Sequence, residues 1–428
     1  MTGSANEAPV DIAVIGAGAA GLMTAIAAAR TAPDLCIVAL DGARRLGAKI
    51  RVSGGGRCNV TNRAVTPADF HTDSPTALRR VLAAFDVPRT REFFADLGVA
   101  LKEEDAGKLF PVSNRADTVV QALLGEAERR GVRLWTAHRV MAVARRAEDF
   151  ALTIQKATAP EVTTDALVAR RVVLATGGLS LPKTGSDGAG YLFAQHLGHT
   201  LVPTTPALVP LLLDGDFHKP LAGIAHEVEL TCGVAGQRPR RLRGPLLWTH
   251  FGISGPVVLD VSRHWLRAQA DGHPATLTAN VLPGDKFPDV ERWLIEQAAT
   301  NARKTLSTLL RARLPARVAA ALPERAGVSA QTPIGHLPRD DRRPLIHALL
   351  EWPLPVTGSR GYTHAEVTAG GVPLVEVDPH TMASRRCPGL HLVGEILNVD
   401  GRIGGFNFQW AWASGHVAGT ALAAGLRT

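Results

Sequence analysis

The amino-acid sequence predicts an α/β protein whose main domain is built from both ends of the chain, with two inserts between them. A short apolar strand, a glycine-rich turn and an alanine-rich helix open the chain. An apolar strand, a second glycine-rich loop and a long helix close it. At 428 residues the chain is long enough for two or three domains.

The opening segment has the pattern strand, tight turn, helix, strand. Val10–Ile15 predicts a buried strand, Ala19–Arg30 a helix and Leu35–Leu40 a second strand. Between the first two lies the turn Gly16-x-Gly18-x-x-Gly21, and Asp41 ends the second strand twenty positions after Gly21. This is the context that a Rossmann-like dinucleotide-binding turn requires.

Each residue of this turn has a physical role in binding a dinucleotide. Gly16 permits the tight turn, Gly18 lets the backbone approach the pyrophosphate, and Gly21 lets the helix pack closely on the strand. The free N–H groups of the helix N-terminus, near Ala19 and Ala20, favour the negative charge of the phosphates. Asp41 is expected to accept hydrogen bonds from ribose hydroxyls, and its charge argues against NADP.

Composition and predicted secondary structure divide the whole chain into five segments. Residues 1–9 are small and polar and predict a disordered tail. Helices are predicted over Thr76–Leu97 and Asp117–Arg130, and short strands over Val132–Trp135, Arg139–Ala144, Phe150–Gln155 and Val172–Ala175. The predicted division is residues 10–197 for the first part of the nucleotide-binding domain, 198–265 for a β-rich insert, 266–350 for a mainly helical insert and 351–428 for the second part, which ends in a helix over Phe406–Leu426.

Three further features favour FAD over NAD. The run Ser53–Asn62 contains three consecutive glycines and is either a flexible loop or a loop that binds an anion through its backbone. Thr176-Gly177-Gly178 ends a strand, and Gly394–Asp400 followed by Gly404–Asn407 leads into the last helix, whose dipole suits a reduced flavin. An NAD site would not need the far end of the chain. With the first turn and Asp41, the expected cofactor contacts are Lys49, Ser53, Gly54, Gly55, Arg57, Cys58, Asn59, Val140, Thr176, Gly177, Gly178, Gly394, Glu395, Asp400, Gly404, Gly405, Phe406 and Asn407.

Some of these side chains admit two roles. Lys49 and Arg57 could bind an anionic substrate or the pyrophosphate, and we favour the pyrophosphate. Glu395 and Asp400 are interpreted as ligands of ribose or ribityl hydroxyls. Cys58 is either a thiol with a lowered pKa beside Arg57 or a small buried residue, and we favour the buried residue.

No catalytic residue can be assigned from the sequence. His250 and His364 have the right chemistry for a proton donor, but structural or surface roles are favoured for both. The chain has no second Gly-x-Gly-x-x-Gly, which argues against a dedicated nicotinamide domain. NAD(P)H is therefore expected to dock transiently, or another carrier reduces the flavin.

Composition indicates in which compartment the protein is expected and which classes of protein are excluded. The four cysteines are far apart and none forms Cys-x-x-Cys, which argues against disulfides, a zinc site or a dithiol centre and fits a reducing cytoplasm. No apolar run approaches the ~20 residues that span a bilayer, and no secretory signal is recognised. The formal charge of +8 fits either arginines spread over the surface or an anionic partner such as RNA.

Taken together, these strings resemble the BaiN/RdsA-like family of NAD(P)/FAD-dependent oxidoreductases, which are glutathione-reductase-type flavoproteins. The resemblance runs from Asp11 to Gly419. Beyond the segments already named, it is carried by Pro182–Ser186 with Gly188 and Gly190, Pro206–Leu211, Thr249–Pro256, Val367–Val372 and Gly394–Asn407. It implies a two-part FAD domain with a β-barrel-like insert and a helical insert. The chain departs from the family's pattern at Asn398, where the resemblance leads us to expect aspartate.

The resemblance implies an FAD-dependent reductase that delivers hydride from reduced flavin to an activated double bond. Relatives in this class reduce small unsaturated metabolites or uridine in ribosomal RNA. An RNA-directed flavoenzyme, an RNA-binding protein with structural FAD and an FAD-dependent oxidase are the alternatives. The sequence leaves the substrate and the oligomeric state open.

Overall fold

The computed structural model describes residues 9–157 and 162–427, and these form two compact units. The first unit runs to Thr204 and resumes at Glu366, so it contains both ends of the chain. The second unit is Thr205–Ala365. The predicted tail lies outside the described residues except for Pro9. The units change at 204/205 and 365/366, whereas the predicted boundaries fell after Leu197 and Leu350.

Helices are numbered along the chain over the described residues. They are α1 (Ala19–Thr31), α2 (Ala48–Gly56), α3 (Pro75–Ala84), α4 (Val87–Asp96), α5 (Ala116–Arg129), α6 (Ala189–His196), α7 (Pro256–Ala270), α8 (Phe287–Thr300), α9 (Leu306–Leu310), α10 (Ala316–Arg325), α11 (Arg339–Leu350) and α12 (Phe406–Leu426).

The strands follow the same numbering. They are β1 (Val10–Ile15), β2 (Ile37–Leu40), β3 (Thr61–Asn62), β4 (Phe70–Thr72), β5 (Leu101–Glu104), β6 (Lys108–Pro111), β7 (Arg133–Trp135), β8 (His138–Arg145), β9 (Phe150–Ala157), β10 (Val162–Leu174), β11 (Val202–Ala207), β12 (Leu211–Leu213), β13 (Ala225–Val234), β14 (Arg240–Thr249), β15 (Gly252–Ser254), β16 (Ala275–Asn280), β17 (Trp352–Leu354), β18 (Val356–Ser359), β19 (Val367–Gly371), β20 (Leu390–Leu392) and β21 (Val399–Gly401).

The first unit is organised by a seven-stranded mixed sheet of the described residues, in the order β7-β2-β1-β10-β9-β8 with β20 beside β10. Strands β7, β2, β1, β10 and β20 run parallel, and β8 and β9 form an antiparallel extension. All of β2 and nearly all of β1 are buried, as expected for parallel strands covered on both faces. The predicted βαβ unit and the Rossmann-like α/β class are confirmed.

Helix α12 joins the C-terminal end of the chain to its N-terminal end by packing on α1. A Cβ added at Gly415 would lie 2.6 Å from the Ala20 carbonyl oxygen, and one at Gly419 would lie 2.3 Å from the Thr24 carbonyl oxygen. The α1 backbone therefore occupies the space that side chains would need at these two positions. Small residues on both helices permit this approach, and most of α1 is buried.

A buried carboxylate also connects α1 to α5. The side chain of Glu126 has no solvent exposure, and Arg30 donates to it at 2.6 Å. Arg129 and Arg130 pair with the same carboxylate from its own helix. Burial is the largest cause of a lowered pKa at Arg30, with repulsion by Arg130 next.

The segment Thr76–Leu97, predicted to be helical, contains two helices, α3 and α4. Asp86 caps the second helix by accepting from the Arg89 backbone N–H at 3.0 Å. Pro88 stands in its first turn, where a missing N–H costs nothing. The Asp-Val-Pro string therefore starts a new helix instead of continuing the old one.

The second unit contains a seven-stranded antiparallel sheet of the described residues, in the order β17-β16-β13-β14-β15-β12-β18. Only Pro355 separates its two edge strands in the chain. Helix α7 begins at Pro256, inside the segment predicted to be β-rich, because Gly255 turns the chain (φ +94°) and proline suits a helix start. The predicted boundary after Trp265 falls within this helix.

Sheet and helices share one core in the second unit. Trp248 and Trp352 are fully buried with ring centroids 5.1 Å apart. Buried leucines from α9, α10 and α11, including Leu310, Leu322 and Leu345, belong to the same apolar cluster. The β-rich and helical segments therefore fold as one body.

In the described part of the chain, no helix is both long enough and apolar enough to cross a membrane.

The contact between α1 and α12 predicts a position-dependent effect of alanine. Gly419→Ala should lower the free energy of unfolding by about 1–3 kcal/mol, because the new methyl group overlaps the Thr24 carbonyl. Gly425→Ala, on the same helix but facing open space, should leave stability unchanged or raise it by less than ~1 kcal/mol. Denaturant unfolding of both variants checks this, and equal effects would contradict the packing argument.

Candidate functional site

The first glycine turn lies at the carboxyl end of β1. Gly16 has a φ of +101°, and a Cβ there would lie 2.4 Å from the Ala175 carbonyl oxygen. A Cβ at Gly21 would lie 1.9 Å from the Gly16 carbonyl oxygen, so helix and turn are in direct backbone contact. Gly18 differs, because a Cβ there would meet no described atom within 4 Å. The α1 N-terminus has no side-chain cap, which leaves its first N–H groups available to an anion.

Asp41 lies beside this turn and holds it in place. Its carboxylate accepts from the backbone N–H of Ala17 at 3.0 Å and of Ala43 at 2.8 Å. Burial raises the pKa of Asp41, and the two backbone hydrogen bonds oppose that rise. A carboxylate has about four acceptor positions, so this arrangement leaves capacity for ribose hydroxyls.

The loop after α2 has a backbone that only glycine adopts easily. Regular helix ends before Ser53, whose ψ is 150°, and Gly54 and Gly55 have φ values of +56° and +68°. A Cβ at Gly55 would face open space. Asn59 is buried, and its side-chain oxygen has no partner among the described residues. An unpaired buried polar atom beside an open glycine loop is typical of a site that takes a polar ligand.

Cys58 belongs to this loop, and its side chain is shielded from solvent. The residue is completely buried, with a φ of +61°. Burial raises the pKa of its thiol to about 12. Thiolate is therefore scarce near neutral pH, which supports the interpretation of Cys58 as a small buried residue.

The two cations near the loop have carboxylate partners. Arg57 donates to both oxygens of Glu104, at 3.1 and 2.9 Å, and its guanidinium lies 4.1 Å from the centre of the Phe110 ring. Hydrogen bonds from Lys102 and then Arg57 lower the pKa of Glu104. Lys49 is paired with Glu395. Binding of a pyrophosphate by either cation stays a prediction.

A hydrogen-bond network connects three distant segments at Glu395. Lys49 donates to Ser180 Oγ at 2.6 Å, and Ser180 Oγ donates to Glu395 Oε1 at 2.6 Å. The Thr368 backbone N–H donates to the same oxygen at 2.9 Å. Thr368 Oγ1 in turn accepts from the N–H of Leu179 and of Ser180. Helix α2 and the residues that follow the Thr176–Gly178 turn are thereby connected to β19 and the Gly394–Ile396 turn.

Side-chain hydroxyl groups pack closely on the two glycines of the turn after β10. A Cβ at Gly177 would lie 2.7 Å from Ser186 Oγ, and one at Gly178 would lie 2.5 Å from Thr368 Oγ1. Thr176 packs against α6 at Gly190. A side chain at position 190 would have no room, because a Cβ added at Gly190 would lie 1.9 Å from Thr176 Oγ1.

The C-terminal segment contains a second uncapped helix start, which lies against the Thr61 backbone. Gly405 precedes α12 with a φ of +94° and no side-chain cap, and a Cβ there would lie 2.5 Å from the Thr61 backbone. Asn407 closes the preceding loop by accepting from the Gly401 N–H and donating to its carbonyl. A Cβ at Gly394 would lie 2.8 Å from Ala20 Cβ.

The remaining predicted contacts on this segment have structural neighbours as well. Gly404 has a φ of +127°, and its carbonyl accepts from Asn62. Phe406 is buried, with its ring edge-on to Phe70 and the Arg402 guanidinium 4.2 Å from its centre. Asp400 is also buried.

Val140 lies on β8 at the edge of the main sheet and is buried. The start of this strand adjoins the segment after β2, because the His138 N–H donates to the Asp41 carbonyl at 2.9 Å. A Cβ at Gly42 would lie 3.3 Å from Arg139 Cβ. Val140 is therefore close in the fold to the Asp41 end of the candidate site.

The structure explains the departure at Asn398. Its side-chain amide donates to Asp73 at 3.0 Å, and Asp73 also accepts from the backbone N–H groups of Leu374 and Val375. Aspartate at this position would place two carboxylates together. Asn398 thus acts as a donor that holds the loop after β19.

The two histidines considered as proton donors lie in the second unit. Both are exposed. His364 contacts Thr363 Oγ1 and the Arg360 carbonyl, and the ring of His250 packs on Phe251. In the described part of the chain, no group of three or more His, Cys, Asp or Glu residues could hold a metal ion.

Comparison with known proteins decides the family. The description "HI0933-like protein Rossmann domain" matches residues 10–421. The chain belongs to this family. It is 34% identical over 412 residues to the 3-dehydro-bile acid delta(4,6)-reductase of Clostridium scindens, covering 96% of this chain and 98% of that protein. It is 34% identical over 414 residues to the ribosomal RNA dihydrouridine synthase of Escherichia coli, covering 94% and 96%.

Solved structures share the fold at low sequence identity. An Escherichia coli quinol fumarate reductase variant has a TM-score of 0.50 and 16% identity, covering 98% of this chain and 71% of that chain. A quinol-fumarate reductase with menaquinol has a TM-score of 0.51 and 17% identity, covering 97% and 71%. The HI0933-like protein is a flavin-dependent oxidoreductase, and the BaiN/RdsA-like resemblance is confirmed.

Sequence reasoning missed several residues of the site. Ser180 and Thr368 carry the network at Glu395, and buried Gln409 connects Thr61 and Thr90 to the Phe85 carbonyl. Thr368 lies in a string already singled out, so its polar character in a buried apolar strand was an available signal. Ser180 and Gln409 gave no signal, because their partners are distant in the chain.

The burial of Cys58 predicts its alkylation behaviour. In native protein near neutral pH, iodoacetamide should modify the half-buried Cys36 and leave Cys58 unmodified, since a thiol with a pKa of about 12 is almost fully protonated. Both should react in denaturant. Peptide mass spectrometry checks this, and rapid native modification of Cys58 would contradict the burial argument.

Proposed function

We propose that this HI0933-like protein is an FAD-dependent reductase that reduces a carbon–carbon double bond conjugated to a carbonyl group. The observation that carries the proposal is the pair of uncapped helix N-termini, at Gly18 and Gly405, on two helices packed against each other. One start suits a pyrophosphate and the other a flavin ring that carries negative charge when reduced. The unpaired buried oxygen of Asn59 adds a polar contact beside them.

Different residues of the first unit bind different parts of FAD. The backbone of Gly16–Gly21, with Ala19 and Ala20, receives the pyrophosphate, and Asp41 and the nearby Val140 receive the adenosine end. Gly394, Glu395 and Asp400 receive the ribityl chain. Lys49 and Arg57 stay assigned to the pyrophosphate. The rest of the loop from Ser53 to Asn59, Thr176–Gly178 and Gly404–Asn407 surround the flavin. When bound and reduced, FAD supplies the hydride, and the protein supplies orientation and electrostatics.

The hydrogen-bond network at Glu395 fixes the positions of these cofactor-binding segments relative to one another. Lys49 neutralises the Glu395 carboxylate, and Ser180 and the Thr368 N–H fix its orientation. Glu395 Oε1 accepts from Ser180 and Thr368, and Oε2 accepts from Lys49. Because a carboxylate oxygen can accept two hydrogen bonds, Oε2 keeps one acceptor position for a ribityl hydroxyl.

The substrate class follows from what the two relatives have in common. One is named for reducing delta(4,6) bonds of a 3-dehydro bile acid and the other for making dihydrouridine. In both cases the reduced double bond is conjugated to a carbonyl. NAD(P)H, docking transiently, is the proposed electron donor, and the cytoplasm is the proposed compartment.

An RNA substrate is the second candidate. The β13–β14 hairpin of the second unit exposes Arg238, Arg240, Arg241 and Arg243, which suits a polyanion. We also infer that the antiparallel sheet of this unit curves into a barrel-like shape, because its two edge strands are consecutive in the chain. We favour a small-molecule substrate over RNA, because exposed arginines on a hairpin are equally typical of an ordinary solvated surface.

The function is tested by reducing the purified protein and offering two acceptors. The protein should carry FAD, accept electrons from NADH or NADPH, and be reoxidised without oxygen by a 3-oxo-Δ4,6 bile acid. Ribosomal RNA from a deletion strain is assayed for dihydrouridine in parallel. A fall in dihydrouridine would favour the RNA candidate, and a protein that takes up no FAD would overturn both. Rapid reoxidation by air with stoichiometric peroxide would indicate an oxidase.

Gly18→Ala separates cofactor binding from folding. Its φ of −84° and open surroundings accommodate a methyl group, so the unfolding free energy of the FAD-free protein should stay within about 0.5 kcal/mol of wild type. FAD affinity should fall at least about tenfold, because the methyl group enters the space assigned to the pyrophosphate. Calorimetric titration with FAD measures this, and unchanged affinity would count against the assignment.

A further inference from the structure

A serine, a histidine and a glutamate of the first unit meet outside the segments assigned to the cofactor. His199 follows α6, Glu376 ends the short turn Leu374–Glu376, and Ser384 comes eight residues later. A backbone bridge between Val377 and Ser384 closes the chain between them into a hairpin. The fold therefore brings a nucleophilic hydroxyl, an imidazole and a carboxylate together from two distant parts of the chain.

The hydrogen bonds of this cluster have a defined direction. His199 Nε2 lies 2.8 Å from Ser384 Oγ, and His199 Nδ1 lies 2.7 Å from Glu376 Oε2. The backbone N–H groups of Arg386 and Cys387 donate to Ser384 Oγ at 3.0 and 2.8 Å. Because these two bonds fill the acceptor positions of the hydroxyl, its own hydrogen is donated to His199 Nε2. The neutral imidazole then carries its hydrogen on Nδ1 and donates it to Glu376.

Burial and further hydrogen bonds hold the imidazole and the carboxylate in place. The side chain of His199 is fully buried, and that of Glu376 is 6% exposed. The carboxylate also accepts from the Thr200 N–H at 3.1 Å, from Thr200 Oγ1 at 2.8 Å and from Arg386 at 3.2 Å. Burial is the largest cause of the lowered pKa of His199, and it outweighs the hydrogen bond to Glu376. The imidazole is therefore neutral, and able to accept a proton, at neutral pH.

We propose that Ser384 is the nucleophile of a second catalytic site, which hydrolyses small carboxylic esters. His199 is the general base that takes the hydroxyl proton, and Glu376 is the positioning residue that orients His199. Ser384 is only half-buried and is followed by the exposed Arg385 and Arg386, so a small ester can reach it from solvent. This activity goes beyond the proposed reductase function and does not depend on it.

Ester hydrolysis at this site consumes one water molecule and involves no oxidation or reduction. Ser384 Oγ bonds to the carbonyl carbon of the ester while His199 Nε2 takes the Oγ proton. The N–H groups of Arg386 and Cys387 then become available to the oxyanion. The bond to the alcohol oxygen breaks, and His199 gives its proton to the departing alcohol. Water, deprotonated by His199, attacks the acyl group, and the carboxylic acid leaves as Ser384 regains its proton.

Labelling of the wild-type protein tests the nucleophile without any substitution. The folded protein is treated with a fluorophosphonate near neutral pH, and peptide mass spectrometry locates the modified serines. Ser384 should be modified, because His199 can take its proton. Ser113 should not be modified. It is a suitable comparison because it is exposed and its hydroxyl lies 2.7 Å from another hydroxyl, that of Thr118.

Substitutions test the activity with 4-nitrophenyl acetate as the probe. Ser384→Ala and His199→Gln should each lower the rate of hydrolysis by about 100-fold or more, the range for loss of proton transfer to a general base. Ser113→Ala should match wild type. Urea unfolding identifies any variant that does not fold, and the labelling result then decides.

The pH dependence of hydrolysis is a readout that a purely structural cluster would not produce. The rate should fall as pH decreases through the pKa of His199, because only the neutral imidazole accepts the Oγ proton. Burial, with a contribution from the charge of Arg386, places this fall below pH 6.5, the ordinary pKa of histidine. Glu376→Gln should move it to still lower pH, since the carboxylate raises the pKa of His199.

Two results would overturn the inference. If the fluorophosphonate leaves Ser384 unmodified in folded wild-type protein, or modifies Ser384 and Ser113 equally, the cluster only holds the hairpin in place. If a folded Ser384→Ala variant hydrolyses the ester at the wild-type rate, Ser384 is not the nucleophile.

Discussion

The contact between the first and last helices is the constraint on which the rest of the first unit depends. The two helices approach until glycines of α12 touch the backbone of α1. That contact fixes the relative positions of two uncapped helix starts encoded almost 400 residues apart. Neither start alone identifies a ligand, because any helix begins with unpaired N–H groups. Because Gly415, in the middle of α12, lies at Ala20, the two starts are separated along the helix axes and suit two different charged parts of one dinucleotide cofactor.

A second constraint is electrostatic. Lys49, Ser180 and Glu395 come from three separate segments and satisfy one another, so the turns that carry them are fixed relative to one another. Removing Lys49 would leave a half-buried carboxylate unpaired, which is costlier than losing an exposed ion pair.

Local patterns predicted the parts of the fold that depend on local physics. The first βαβ unit and the bounds of α12 follow from spacing, because strand and helix periodicity are properties of short segments. The break between α3 and α4 was also encoded locally, in Asp86-Val87-Pro88, but the apolar periodicity on both sides concealed it. Helix α7 was missed for a similar reason, since its Gly255-Pro256 start resembles the loops around it.

Long-range partners could not be predicted in this way. The sequence does not indicate that Arg57 pairs with Glu104 or that Lys49 pairs with Glu395, and both lysine and arginine suit a phosphate equally well. Asn398 illustrates the same limit, because its departure from the family's pattern makes sense only beside Asp73.

The central claim is that both ends of the chain hold one FAD, and hydrogen exchange tests it most directly. Amide exchange is measured on the FAD-free and FAD-loaded protein. FAD should slow exchange in three separate places: the α1 start at Ala19–Gly21, the glycine loop at Gly54–Asn59 and the α12 start at Phe406–Phe408. Protection confined to Ala19–Gly21, with the loop and the α12 start unchanged, would contradict the account.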